Sequence, residues 1–397
     1  MRPPPRDGRL LFVTRFTRLF AYGALSVVLV LYLTELGFDA AEVGLLMTLT
    51  LVGDTLVSFF LTTRADRVGR RRVLMAGALL MAAAGVVFAT THNFLLLITV
   101  GTIGVISPSG NEVGPFLPIE QAALAHIVSP DRRTSVFAWY TVTGALATAA
   151  GSLAAGALSH GLQYRGVLLL YGALGVVLFV CFTRLSEAVE VRIADATSPL
   201  GIGSSRRTVL KLSGLFALDS FGGGFVVQSF AAYWFYLRFG VSAATLGTIF
   251  FVANVLAGIS ALLASRLAAR FGLVNTMVFT HLPSNVLLIL VPLMPTLPLA
   301  ALVLFARFSI SQMDVPTRQS YVMAVVRPEE RSAAAGITGI ARTTGAAVAP
   351  VFAGMLYAQP ALISVPFFIA GTLKIIYDVW LYRGFSTARP AEETLKG

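Results

Sequence analysis

Pro118-Ile119-Glu120-Gln121 runs on through Val128, Pro130, Asp131, Arg133 and Thr134 to Ala155-Gly156. The same order returns as Pro316-Thr317-Arg318-Gln319, then Val326, Pro328, Glu329, Arg331 and Ser332, ending at Ala353-Gly354. The offset is 198 residues throughout, about half of the 397-residue chain. An earlier register adds Gly37, Ala40, Ala41, Gly44, Arg67 and Gly69, which recur as Gly240, Ala243, Ala244, Gly247, Arg270 and Gly272 at an offset of 203. One half is a parallel copy of the other, so the fold is one architecture used twice. A working site is expected between the copies.

Composition says what solvent that architecture meets. The chain is 56% hydrophobic and 12% charged, with a mean hydropathy of +0.79, whereas a soluble domain carries about 25% charged residues. The bilayer is therefore the expected solvent. The net charge of +11 does not point to nucleic acid, because the arginines fall in short loops and not along one face or in a tail. Cys181 stands alone in an apolar run, so neither a disulfide framework nor a thiolate metal site is expected. His92, His126, His160 and His281 are scattered without ligand spacing, and no cofactor or metal is expected.

Twelve apolar stretches are each long enough for the ~20 helical residues that cross a bilayer: 12–34, 40–62, 73–91, 94–126, 134–159, 165–184, 212–236, 243–265, 274–293, 297–325, 332–357 and 361–382. The fourth and tenth exceed the hydrocarbon thickness and are expected to project into the cytoplasm as helix. The first is expected to be an uncleaved insertion signal, since its repeat partner is internal. Hairpin tips on one side carry almost no base. The other side holds Arg2, Arg6, Arg9, Arg64, Arg67, Arg70, Arg71, Arg72, Arg132, Arg133, Arg206, Arg207, Arg266, Arg270, Arg327 and Arg331. The positive-inside rule then puts both termini in the cytoplasm. The expected fold is an all-α polytopic membrane protein, twelve transmembrane helices in two pseudo-symmetric six-helix bundles. Residues 1–184 form the first bundle, 185–210 a polar cytoplasmic linker, 211–384 the second bundle and 385–397 a cytoplasmic tail.

Twelve spans, a parallel six-plus-six repeat and a central linker resemble the major facilitator superfamily of secondary transporters, over nearly the whole chain. The loop after the second span, Arg64-Ala65-Asp66-Arg67-Val68-Gly69-Arg70-Arg71-Arg72, looks like that family's Gly-x-Leu-Ala-Asp-Arg-x-Gly-Arg-Arg signature. The resemblance implies that Asp66, with Arg67 and Gly69, locks the loop against the end of the eleventh span. A topogenic basic loop is the plainer reading, and it leaves Asp66 and Gly69 unexplained. Gly151-Ser152-Leu153-Ala154-Ala155-Gly156 and Ala349-Pro350-Val351-Phe352-Ala353-Gly354 are similar to the family's antiporter-associated Gly-Pro-x-x-Gly-Gly motif. Ordinary small-residue packing explains the same residues.

Charges inside a bilayer are expensive and mark function by default. The repeat sorts them: Glu120 corresponds to Arg318, and Glu35 to Arg238. Opposite charges at pseudo-symmetric positions suggest two gates, Glu35–Arg238 at the outer ends and Glu120–Arg318 on the cytoplasmic side. Snorkelling of each charge to its nearest interface is the alternative. Asp54 and Arg342 lie at similar depth and are candidates for an interdomain salt bridge. Glu112, beside Asn111 in the broken-looking segment Ser107-Pro108-Ser109-Gly110-Asn111-Glu112-Val113-Gly114-Pro115, is the leading proton site, since two prolines and two glycines free backbone carbonyls that survive in lipid only where they line a cavity. Arg307, Ser311, Asp314 and Arg318 form one polar stripe at helical spacing. Asp219 precedes Gly222-Gly223-Gly224, which suggest a bend, with Gln228 deeper in the same span. Lys374 and Asp378, at i,i+4, read as a local pair.

The expected function is proton-coupled secondary transport of a small organic solute, outward by antiport, in the cytoplasmic (inner) membrane of a cell and by a monomer. Solute uptake by symport and divalent-metal export are the rivals. A non-transporting sensor is disfavoured by matched charges at two gates. An enzyme is disfavoured because no nucleophile–base set or metal motif is present.

Overall fold

In lipid an isolated backbone satisfies its own hydrogen bonds only as a helix, and every regular element among the described residues is helical. The computed structural model describes residues 6–111, 114–128, 130–158, 163–190, 205–327 and 330–386. The helices are α1 (Arg6–Glu35), α2 (Ala40–Val68), α3 (Arg70–Thr90), α4 (Phe94–Ile103), α5 (Phe116–Ile127), α6 (Pro130–Leu158), α7 (Gln163–Thr183), α8 (Arg206–Gly224), α9 (Gln228–Phe239), α10 (Ala243–Phe271), α11 (Leu273–Leu290), α12 (Leu297–Ser311), α13 (Asp314–Val325), α14 (Arg331–Tyr357) and α15 (Val365–Phe385). Among the described residues, eleven helical segments are long and apolar enough to cross a membrane, and Phe94–Ile103 is a shorter apolar helix. The chain is an all-α, multi-pass membrane protein.

The fourth span is interrupted across 107–115, where its prolines and glycines suggest a break, and the tenth is interrupted as well. The fourth divides into α4 and α5, the tenth into α12 and α13. Both breaks sit four residues before a proline of the repeat. Pro118 and Pro316 have no N–H, and their rings exclude the carbonyl at i−4, which belongs to Gly114 and Gln312. In the first half the gap is wider, because Gly110 (φ +69°) and Gly114 (φ +78°) take up left-handed backbone. The seventh span also divides, between α8 and α9, directly after the three glycines.

The helices form two compact units, residues 1–196 with 227–254, and residues 197–226 with 255–397. In the first, α1 is the central helix: Leu11, Tyr22, Leu25, Val28 and Leu33 are fully buried. It lies so close to α6 that a Cβ on Gly151 would strike the Phe20 carbonyl and one on Gly23 the Thr148 carbonyl. The second unit repeats this contact with α8 and α14, where a Cβ on Gly345 would strike the Ala217 carbonyl. Without water to expel, close backbone approach supplies the dispersion energy that holds such helices together.

Between α2 and α3, Gly69 turns the chain at φ +106°. The first turn of α3 then presents free N–H groups, and the Glu190 carboxylate accepts from Arg70 N at 2.8 Å and Arg71 N at 3.0 Å. An acid at a helix N-terminus is favoured by both hydrogen bonding and the helix dipole. Arg71 also donates to the Thr183 carbonyl at 2.6 Å, tying the basic loop to the end of α7.

Candidate functional site

A buried ionic network occupies the second unit. The three-glycine end of α8 brings Asp219 against α13 and α15. Its carboxylate accepts from Lys374 Nζ at 2.7 Å and from Arg318 Nη1 at 3.2 Å. Arg318 also pairs with Asp314, one turn earlier on α13, at 3.0 Å. On α11, His281 places Nε2 at 3.7 Å from Asp219 and Nδ1 at 2.8 Å from Asp378. Asn285 donates to the other oxygen of Asp378 at 2.8 Å. Asp219, His281, Asp314, Arg318, Lys374 and Asp378 are all buried. Buried charges are tolerated only when paired and hydrogen-bonded, and here four helices each contribute a member.

This arrangement corrects two sequence expectations. Lys374 and Asp378 do not satisfy each other; each reaches to another helix. The stripe from Arg307 to Arg318 is split by the break at Gln312–Met313, which leaves Arg307 and Ser311 on α12 and the Asp314–Arg318 pair on α13. Asp219, His281 and Asp314 have donor atoms close enough to hold a metal. The ammonium of Lys374 and the guanidinium of Arg318 already occupy the acidic lone pairs, so this donor set does not suit a divalent cation.

The first unit carries the counterpart with its signs exchanged. Glu120 on α5 does not reach for Arg318; it is fully buried against Arg18 on α1, with Nη2–Oε2 at 2.7 Å and Nη1–Oε1 at 3.0 Å. Thr14 donates to the same carboxylate at 2.7 Å, and so does the Tyr140 hydroxyl. Arg15 donates to the Tyr140 carbonyl at 3.0 Å and lies over its ring. One half therefore has an acid on its fourth span and a base on its first. The other half has a base on its fourth span and an acid on its first. Each member of the expected inner gate is paired within its own unit.

Glu35 and Arg238, the expected outer gate, are both exposed, and no ion pair joins them among the described residues. Asp54, expected to meet Arg342, accepts instead from the Gly114 N–H at 2.5 Å and from Ser58 at 3.3 Å. It thereby caps the broken stretch between α4 and α5. Three carbonyls of the same stretch accept from side chains: Val105 from the Tyr171 hydroxyl at 2.6 Å, Pro108 from Ser229 Oγ at 2.6 Å, and Asn111 from Ser107 at 2.7 Å. Asn111 itself is exposed. Glu112 and the side chains of Asp66 and Arg67 lie outside the described residues. Gln228, at the start of α9, donates to Ser26 at 2.8 Å and to Ser152 at 3.3 Å, and accepts from Asn254 at 3.2 Å. Ser152, in the place where the antiporter motif has proline, thus serves as a hydrogen-bonding hub.

The Major Facilitator Superfamily model matches residues 11–311 and 214–396. The chain belongs to the Major Facilitator Superfamily. Like other members of this superfamily it is a transporter in kind. It is 32% identical to an uncharacterized membrane protein of Saccharomyces cerevisiae, over 95% of this chain and 93% of that one. It is 25% identical to quinolone resistance protein NorA of Staphylococcus aureus, over 43% of this chain and 42% of that one. Among solved structures, nucleoside transporter NupG superposes with a TM-score of 0.76 at 16% identity, covering 96% of this chain and 99% of that one. That likeness concerns the fold.

Arg18, His281 and Glu190 escape the sequence reading. Arg18 lies near the start of the first span, where an arginine reads as an interfacial charge; its signal is the i,i+3 spacing with Arg15 inside an apolar run. His281 has no neighbour in sequence that marks it. Glu190 sits in the linker, where an acid reads as solvated.

Proposed function

We propose that this superfamily member is a proton-coupled secondary active transporter that moves a small organic solute by alternating access. The observation that carries the reading is the buried network around Asp219, in which His281 bridges two carboxylates. Histidine is the one residue type there whose ordinary pKa allows proton exchange near neutral pH. Glu112 is a second candidate carrier. Asp66 with Arg67 and Gly69 is proposed as the conformational lock of the loop after α2. The small-residue segments around Gly151 and Pro350 and the partial similarity to a quinolone resistance protein support outward movement by proton antiport. On this reading the protein works as a monomer in the cytoplasmic membrane with both termini inside.

A second reading, proton–solute symport, is favoured by the charge of the network. A proton taken up at His281 makes the network more positive, so an anionic solute and a proton help each other to bind. Purified protein in liposomes under an imposed pH gradient separates the two. Solute entry with luminal acidification marks symport, and entry with alkalinisation marks antiport. Solute movement without any proton flux would overturn the coupling.

A further inference from the structure

Two arginines of the second unit have no hydrogen-bonding or ion-pair partner among the described residues, although the Arg307 guanidinium lies over the Phe308 ring, 5.1 Å from its centroid. Arg307 on α12 and Arg342 on α14 make no hydrogen bond or ion pair to any described residue, and the Nε of each is buried without an acceptor. Both residues are only half-buried as a whole, yet the Nε of each is sealed from water. Both lie within electrostatic range of Asp219 and Asp314. Neither acid is available to them: Asp219 is held by Lys374 and Arg318, and Asp314 by Arg318. Arg342 in addition faces the like charge of Arg318.

Such an arrangement is unfavourable for an empty site. A buried N–H of a charged group without an acceptor loses its hydration and gains nothing for it. The formal charge points the same way. Within the spans of this unit, Asp219, Asp314 and Asp378 stand against Arg307, Arg318, Arg342 and Lys374. With His281 neutral, one positive charge is left over; a single bound negative charge balances it. A guanidinium is a planar fork that matches an oxyanion with two parallel hydrogen bonds.

We infer that the solute is an organic anion, its carboxylate or phosphate attracted by the unsatisfied guanidinium groups of Arg307 and Arg342. The inference rests on the transporter reading and names the substrate class for the same network. Arg318 and Lys374 hold Asp219 in place and are not part of the anion cradle. Ser311, one turn from Arg307 and with an unpartnered buried hydroxyl, is placed to add a donor.

The test is ligand protection of the full-length protein in detergent, read as a shift of the thermal unfolding midpoint. The probes are benzoate, acetate, phenyl phosphate and inorganic phosphate at millimolar concentration, with benzamide and benzylammonium as neutral and cationic counterparts. At least one oxyanion is expected to protect the wild type while the amide and the amine do not. Arg307→Gln and Arg342→Gln are each expected to weaken that anion's binding by about tenfold or more. Without ligand they should melt no lower than wild type, because each removes an unsatisfied buried donor. Protection by benzylammonium or benzamide equal to that by benzoate would overturn the inference. So would unchanged anion affinity in both variants, or no protection by any of the four anions. Counterflow of the protecting anion in liposomes keeps the two readings apart. Binding without exchange refutes transport and leaves the site standing. Exchange of another solute, indifferent to both substitutions, refutes the site and leaves transport standing.

Discussion

Arg18 and Glu120 show what one buried charge demands of its surroundings. Both are fully buried, so removing either leaves its partner uncompensated, whereas replacing both by apolar groups leaves nothing to solvate. Glu120→Ala is therefore expected to cost about 3–5 kcal/mol, with Arg18→Met similar. The combination Arg18→Met with Glu120→Leu should recover most of that loss. Denaturant unfolding in micelles measures all three, and a double variant as weak as the sum of the singles would contradict the pairing. Asp219 is held differently, by two cations from different helices at 2.7 and 3.2 Å. Lys374→Met is expected to destabilise less than Asp219→Ala, because Arg318 still neutralises the acid; the same unfolding measurement ranks them.

At the scale of elements, the repeat places helix breaks and close contacts in matching positions. Pro118 and Pro316 stand in the same register, and each interrupts the fourth span of its half. The break in the fourth span is legible in the sequence from the prolines and glycines of 107–115, whereas the tenth, with only Pro316 to mark it, reads as one polar stripe. The partners that the freed backbone groups find are not legible, because Tyr171 and Ser229, which donate to carbonyls, and Asp54, which accepts from an N–H, are distant in sequence and carry no pattern that marks them. The pairing α1 with α6 and α8 with α14 depends on glycines that meet carbonyls. Gly151→Ala and Gly345→Ala should each cost about 1–3 kcal/mol through overpacking. Gly336, on α14 with open space around it, is the control: Gly336→Ala should be neutral or gain up to about 1 kcal/mol from helix propensity. Thermal unfolding of the three variants decides it, and equal losses at all three sites would contradict the close approach.

For the molecule as a whole, the doubling was readable because it spans the entire chain, whereas the chemistry was only partly readable because it resides where the copies differ. Glu120 and Arg318 attract notice as opposite charges at one register. Their partners Arg18 and Asp219 fall at different offsets, so no symmetry argument finds them. His281 has no charged counterpart in the other half, and that asymmetry is what makes it a candidate for coupling. Around it stand Tyr377 and Asp378 from α15, Asp314 from α13, Asp219 from α8 and Asn285 from its own helix, with Lys374 and Arg318 on the far side of Asp219. Its Nδ1 lies 2.8 Å from the Asp378 carboxylate and 3.1 Å from the Asn285 amide nitrogen, and the carboxylate, the charged acceptor of the two, favours a proton on that nitrogen. Nε2, 3.7 Å from Asp219, is where a second proton is gained. His281→Gln keeps an amide to donate to Asp378 but takes up no proton. A gradient of one pH unit supplies about 1.4 kcal/mol per proton, enough for about tenfold solute accumulation at one-to-one coupling. The variant is expected to retain solute counterflow at equal pH on both sides of a liposome membrane while losing that gradient-driven accumulation. Accumulation equal to wild type would place the proton elsewhere, with Glu112→Gln the next variant to assay. Loss of counterflow together with accumulation would mean that His281 holds the network's shape and carries no proton.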